Sequence, residues 1–359
     1  MFNLFQKKTT MDMDEYVENH NEQRVLARVK RLGSISPLSG ADYVQAGQVD
    51  GWITVVPKTY NEGDLGVFME IDSVLPNMDQ WVIDAKLSDV KYVKTRKIRG
   101  LISQGIFLIM SSLPERVRDL PEDTDVTTIL GITKHIPADE SSTHTVNKPR
   151  SSSQYSYSAI LPQGPPKTDE SRIQSHTKML TELNGKPWVA TLKYDGCSIT
   201  FHNDETDGLV VLSRNLLASD KDSVYWKVAE VYSLTQKTSL AKNFVFQGEV
   251  IGPKVNGNRM GSNTLRLAIF SVWDKTEKRF LDHDVYRALC KSIDLPVVDE
   301  VARGDSFDHT VKSLLELAKG NYENTKHPRE GLVVRPLIQD ESRISFKIIN
   351  NDFLLKTEQ

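Results

Sequence analysis

Lys193-Tyr-Asp-Gly196 is the segment of this sequence best suited to covalent chemistry. A lysine amine attacks phosphorus only when neutral, and a free lysine titrates at about 10.4, so burial or a neighbouring charge must tune it. The Asp-Gly pair supplies a tight turn that would fix the lysine at a pocket wall. Other segments place polar groups at the ends of apolar runs. Glu249, in Phe246-Gln-Gly-Glu-Val250, could accept hydrogen bonds from two ribose hydroxyls or join a metal site. Glu330 opens Glu330-Gly-Leu-Val-Val-Arg335, where the glycine allows close approach and the carboxylate suits magnesium or its water shell. Lys347, in Ser345-Phe-Lys347, could neutralise a phosphate as charge builds on it, and Ser213-Arg-Asn215 adds a cation and an amide. Taken singly, each has an ordinary reading: a surface lysine before a turn, or an edge-strand carboxylate facing water.

These residues need strands to hold them. Strand-like runs occur at 188–192, 198–202, 209–212, 244–251, 267–273, 331–335 and 344–349, with helical periodicity at 224–232, 285–293 and 311–318. The two types do not alternate regularly, so α+β is expected rather than a doubly wound parallel sheet. Residues 138–167 are rich in serine and proline and lose apolar periodicity, as a linker or surface loop would. Ahead of them, short β-like runs at 25–32, 51–56, 66–71 and 105–110 alternate with turn signals. That pattern predicts a small barrel or sandwich and does not separate the two.

Composition sets the outer bounds. Hydrophobic residues at 39% and charged residues at 26% fit a soluble globular protein, and 359 residues leave room for more than one core. There is no apolar run long enough for a membrane span, and the first ten residues lack the features of a secretory signal. Cys197 and Cys290 cannot build a disulfide framework, so a reduced intracellular setting, cytoplasm or nucleus, is expected. A net charge of −3 means that affinity for nucleic acid must come from local patches. The run Lys91-Tyr-Val-Lys-Thr-Arg-Lys-Ile-Arg99 is such a patch. Lys94, Arg96, Lys97 and Arg99 could track phosphates, with Tyr92 available for stacking. A solvated charged strand explains the same run.

In order, the segments KYDG, SRN, FQGEV, LAIFSVWD, EGLVVRP and SFK resemble the motif set of the covalent nucleotidyltransferases: RNA ligases, DNA ligases and mRNA capping guanylyltransferases. The resemblance implies Lys193 as the adenylated nucleophile and Asp195 and Glu330 at the metal and its water shell. It implies Arg214 and Asn215 on ribose or phosphate, Glu249 on the ribose and Lys347 on the α-phosphate. It puts Phe270 or Trp273 on the base, a choice the loose register leaves open, and makes Asn258 a candidate in the loop after Glu249. Capping enzymes and DNA ligases usually carry an OB domain after the last motif, whereas here 359 − 347 = 12 residues follow Lys347.

The front part has a resemblance of its own. Ile35-Ser-Pro-Leu-Ser-Gly-Ala-Asp42, Gly63-Asp-Leu-Gly-Val-Phe68 and Arg96-Lys-Ile-Arg-Gly100 with Ser103-Gln-Gly105 resemble the amino-terminal OB domain of one ATP-dependent RNA ligase family. The implied layout is an extension over 1–23, an OB domain over 24–137, a linker over 138–167 and an adenylyltransferase domain of antiparallel sheets flanked by helices over 168–359. The implied activity joins 3′-hydroxyl and 5′-phosphate ends through lysyl-AMP and RNA-adenylate, preferring nicks with an RNA 3′-hydroxyl strand, in RNA repair. The implied ligands are ATP as substrate, Mg2+ or Mn2+, and RNA as a nicked duplex or broken strand, with no membrane and no obligate protein partner. A GTP-using capping-type enzyme and a nucleic-acid-binding protein with an inactive transferase domain are the alternatives. Two departures stand out: Ser345 replaces the usual first lysine of the last motif, with Arg343 a possible substitute cation, and Leu192 replaces the usual acidic residue before the nucleophile.

Overall fold

A computed structural model describes residues 24–135, 156–167, 169–340 and 343–357; the extension over 1–23 and most of the expected linker lie outside them. The chain divides into two compact units, one holding Ile53–His135 with the residues before Asp50, the other holding Asp50–Trp52 with the residues from Ile136 onward.

Among the described residues of the first unit, with Trp52 at its boundary, ten short strands fold into small antiparallel ribbons. They are β1 (Ala27–Arg31), β2 (Ile35–Pro37), β3 (Val44–Val49), β4 (Trp52–Pro57), β5 (Leu65–Met69), β6 (Ser73–Val74), β7 (Arg96–Ile98), β8 (Leu101–Ser103), β9 (Ile106–Ile109) and β10 (Thr133–Lys134). β5 lies between β1 and β9, β3 between β2 and β4, and β7 pairs with β8. Gln104 N donates to Ile53 O at 2.8 Å, joining the stretch between β8 and β9 to β4, while Glu70 N to Leu26 O at 2.8 Å extends the pairing of β1 with β5. One core fills the ribbons, with Val29, Val67, Met69, Val82, Phe107, Val117 and Leu130 buried. Short ribbons wrapped on one core are the small-barrel outcome rather than two stacked sheets.

The second unit rests on two five-stranded sheets. One takes β11 (Ser171–Arg172), β12 (Trp188–Lys193), β18 (Glu300–Gly304), β19 (Gly331–Pro336) and β20 (Phe346–Ile349), in the order β11-β20-β19-β12-β18. The other takes β13 (Cys197–Asp204), β14 (Gly208–Ser213), β15 (Phe244–Ile251), β16 (Arg266–Asp274) and β17 (Arg279–Phe280), in the order β14-β13-β15-β16-β17. Side chains alternate across a strand, so each strand divides into a core face and a second face. Ala190, Leu332, Val334, Phe346 and Ile348 join a buried cluster beneath the first sheet. Phe201, Phe246, Val250, Ile269 and Val272 do the same beneath the second, where Phe201 and Phe246 stack with centroids 5.3 Å apart. The opposite faces carry Lys193, Arg335, Ser345 and Lys347 in one sheet and Gln247 and Glu249 in the other.

The helices cover the core faces. Val224–Val231 and Val311–Ala318 follow their apolar spacing, the latter opened by a capping box between Thr310 and Ser313. His283–Ser292 starts ahead of the apolar period, because Asp284 in its first turn suits a helix amino terminus better than its polarity suggests. The described end of the serine/proline-rich stretch is half exposed but pinned at Tyr157 and Pro165, which are buried. Tyr157 is buried and its hydroxyl donates to Pro165 O at 3.1 Å, while Gln247 Nε2 donates to Tyr157 Oη at 3.2 Å and to Pro166 O at 3.0 Å. A single large aromatic anchors a segment that has no periodicity to betray it.

Candidate active site

Lys193 is the last residue of β12 and pairs with Gly331 at the start of β19. Its ammonium meets Glu330 Oε1 at 2.7 Å. Gly331 is required there: its φ is 153°, and a Cβ would stand 2.1 Å from Ile348 O. With no side chain at Gly331, β19 can lie this close to the backbone of β20 at Ile348 and Ile349. Tyr322 ties Lys193 and Glu330 together, its hydroxyl donating to Lys193 O at 3.2 Å and accepting from Glu330 N at 3.0 Å.

Asp195 and Glu249 complete an acidic wall. A Cβ on Gly196 would lie 2.2 Å from Val250 O and 2.9 Å from Glu249 Cγ, so only glycine lets the nucleophile turn press against β15. Burial would lower the Lys193 pKa, but the charges of Glu330, Glu249 and Asp195 outweigh it and hold it above the ordinary value. Burial together with the repulsion of Glu330 and Asp195 pushes Glu249 up to about 8, against the pull of Lys193. Asp195 is raised for the same reasons, burial first and Glu330 second, although Arg259 NH1 donates to its Oδ2 at 2.7 Å. The three carboxylates feel one another's charge and offer hard oxygens of the kind magnesium or manganese takes, but their oxygens do not all lie within 4.8 Å of one another, so they do not form a closed donor set by themselves.

Lys347 lies on the same sheet face as Lys193, since it pairs with Val333 and Val333 pairs with Thr191. Ser345, where the resemblance expects lysine, serves a different network. Arg335 Nε donates to Ser345 Oγ at 2.8 Å, its NH1 to Phe270 O at 2.6 Å and its NH2 to Glu170 Oε1 at 2.7 Å. Burial would raise the Glu170 carboxyl, but Arg335 and Arg343 hold it below the usual range. The cation of this corner is therefore Arg335, with Arg343 3.8 Å from the same carboxylate.

The two aromatic candidates separate. Gln247 pairs with Ser271 but Gly248 with Ile269, so Phe270 is the extra residue of a β-bulge. Phe270 packs against the small apolar cluster of Tyr194, the neighbour of the nucleophile, with Ile251, Ala268 and Val298. Trp273 instead packs edge-on against Phe280, centroids 5.1 Å apart. Arg214 and Asn215 follow β14, where Ser213 pairs with Ile199, next to the Ser198 that pairs with Glu249. Arg214 is ion-paired with Asp169, and Asn215 O accepts from Tyr157 N at 2.8 Å. Asn258 is a turn residue, its side chain bonded to Ser262 on both sides. Its neighbours reach the nucleophile turn: Arg259 as above, and Asn256 Nδ2 donating to Gly196 O at 2.5 Å. In the first unit Arg96, Lys97 and Arg99 are exposed and Lys94 is half-buried. Tyr92 is stacked flat on His135, centroids 3.8 Å apart. Among the described residues the cysteines are free, and no helix is long and apolar enough to cross a membrane.

A lysine at a strand end against an acidic wall, on two sheets that are antiparallel except where β11 runs parallel to β20, with a small β-barrel unit ahead in the chain, is the arrangement of a nucleotidyltransferase preceded by an OB-fold domain. Residues 186–349 match the RNA ligase family and residues 26–110 an OB-fold domain family. The two matches show an RNA-ligase domain behind an OB-fold domain, and the solved structures similar to the chain share that layout. The solved structures it resembles include Naegleria gruberi RNA ligase with pyrophosphate, at 28% identity and a TM-score of 0.79, covering 93% of this chain and 99% of that one. A lysine-to-methionine variant of that ligase with AMP and Mn matches at 27% and 0.80, covering 93% and 99%. A glutamate-to-alanine variant with ATP and Mn matches at 27% and 0.81, covering 94% and 100%. No curated protein matches in sequence.

Proposed function

We propose that the chain is an ATP-dependent RNA ligase that seals nicks whose 3′-hydroxyl strand is RNA, with Lys193 as the nucleotide carrier, and that its role is RNA repair. The observation that carries this is the Lys193 ammonium at 2.7 Å from Glu330 within the wall of Asp195 and Glu249. The solved ligases similar to this chain hold ATP or AMP with manganese, which supports adenosine nucleotide and divalent metal as its ligands.

Lys193 Nζ, after losing a proton, attacks the α-phosphorus; the bond to pyrophosphate breaks and lysyl-AMP forms. The oxygen of an RNA 5′ phosphate then attacks the same phosphorus, the P–N bond breaks, and RNA-adenylate results. A 3′-hydroxyl attacks the 5′ phosphorus of that adenylate and AMP leaves. Glu249 binds the ribose, Phe270 rather than Trp273 stacks on the base, and Lys347 with Arg214 and Asn215 steadies phosphate and sugar. Asp195 and Glu330 would hold the divalent cation, which offsets phosphate charge when bound. Lys94, Arg96, Lys97 and Arg99 contact the backbone phosphates of the RNA.

The test mixes purified protein with magnesium and α-labelled ATP or GTP and looks for label on the denatured chain. Label from ATP alone, lost completely in Lys193→Ala, is expected. Label from GTP, or full labelling of the variant, would overturn the reading.

A further inference from the structure

The loop that carries Arg259 borders a groove of about 340 Å3 between it and the closing helix Asn351–Thr357. Pro328 and Phe353 supply apolar lining, Arg259, His327 and Lys356 supply basic groups, and no carboxylate lines it. Arg259 belongs to two places at once. Its guanidinium lies 5.7 Å over the Phe353 ring and donates to Asp195, two residues from the nucleophile. Lys356 Nζ donates to Lys326 O at 3.2 Å, which keeps the ammonium at the rim, and His327 is exposed beside it.

The loop is built rather than incidental. Asn256, Gly257 and Asn258 all adopt positive φ, at 42°, 67° and 50°. The Asn256 bond to Gly196 O and the Asn258–Ser262 pair hold them there. Such backbone persists only where the surroundings over-determine it. Cations over an apolar floor are the chemistry that holds a nucleic-acid strand by its phosphates while a sugar or base rests on carbon.

We propose that this groove is the subsite for a backbone phosphate of the RNA strand whose end reacts at Lys193. Arg259 links its occupancy to the acidic wall through Asp195. The inference rests on the ligase reading but concerns only the second substrate.

Lys356→Ala and His327→Ala, both on the exposed rim, test it in the full chain. The readouts are labelling of the chain by α-labelled ATP, sealing of a 5′-labelled nicked duplex, and anisotropy of a fluorescent 5′-phosphate RNA across a salt series. For each variant, labelling within about twofold of the parent is expected, with RNA affinity and sealing down about tenfold and, for Lys356→Ala, a salt slope shallower by about one. Unchanged RNA affinity and sealing would overturn the proposal. So would weaker labelling with unchanged RNA affinity, which would assign the groove to the triphosphate of ATP. Anisotropy reads binding without chemistry. A parent chain that took no label would therefore sink the ligase reading, while RNA binding by the variants would still decide the groove.

Discussion

Lys193 meets its carboxylates in the ammonium form, which holds it in place but cannot attack. Burial pulls its pKa down, yet Glu330, Glu249 and Asp195 win and the net displacement is upward. The neutral amine is then scarce at neutral pH and grows as pH rises. Single-turnover adenylation at saturating ATP should climb from about pH 6 to about pH 9 without an alkaline fall. A flat profile would show that losing this proton does not limit the step. Arg259 is the other residue whose removal should be felt. Arg259→Ala strands a carboxylate that is 8% exposed, and should lower unfolding free energy by about 1–3 kcal/mol in urea titrations. The short motifs made Lys193, Asp195, Glu249 and Glu330 visible in the sequence, because each sits where a strand starts, ends or pairs. Arg259 and Tyr322 were not visible. They reach the site over 64 and 129 residues of chain, and no local spacing encodes such contacts.

At the scale of elements, the strands were legible where one face is continuously apolar. Phe244–Ile251 and Val311–Ala318 have the bounds their patterns predict. Phe246 is fully buried and stacked on Phe201, so Phe246→Ala should cost about 3–5 kcal/mol in the same titration. The aromatic strand was not legible in register, because one inserted residue changes which side chain faces the site, and alternation cannot reveal a bulge. Its consequence is measurable. Phe270→Ala should raise KM for ATP, whereas Trp273→Ala should leave KM near the parent value and mainly lower stability through lost packing on Phe280. Equal effects on KM would remove the distinction.

For the molecule as a whole, a net charge of −3 hides how unevenly the positive groups are placed. Each unit has its own core, and the exposed Arg96 and Lys97 belong to the one without the nucleophile. Reversing both, Arg96→Glu with Lys97→Glu, should spare self-labelling and weaken RNA binding, with a shallower salt slope in anisotropy titrations. A parallel loss of labelling would mean that the reversal damages more than a phosphate track. The division into a β-rich front and a mixed back was readable from turn spacing. The anchoring of the segment around Tyr157 was not, since one buried aromatic in a polar stretch carries no period.

Arg335 uses three guanidinium nitrogens on three partners, Glu170, Phe270 and Ser345, drawn from distant stretches of the chain. That makes position 345 answer to residue 335. A lysine placed there alone would bring an ammonium against the guanidinium and forfeit the bond to the serine hydroxyl. Ser345→Lys should lower the melting temperature, and pairing it with Arg335→Ser should recover part of the loss. Melting curves of the two single variants and the double would show the two positions to be epistatic rather than additive.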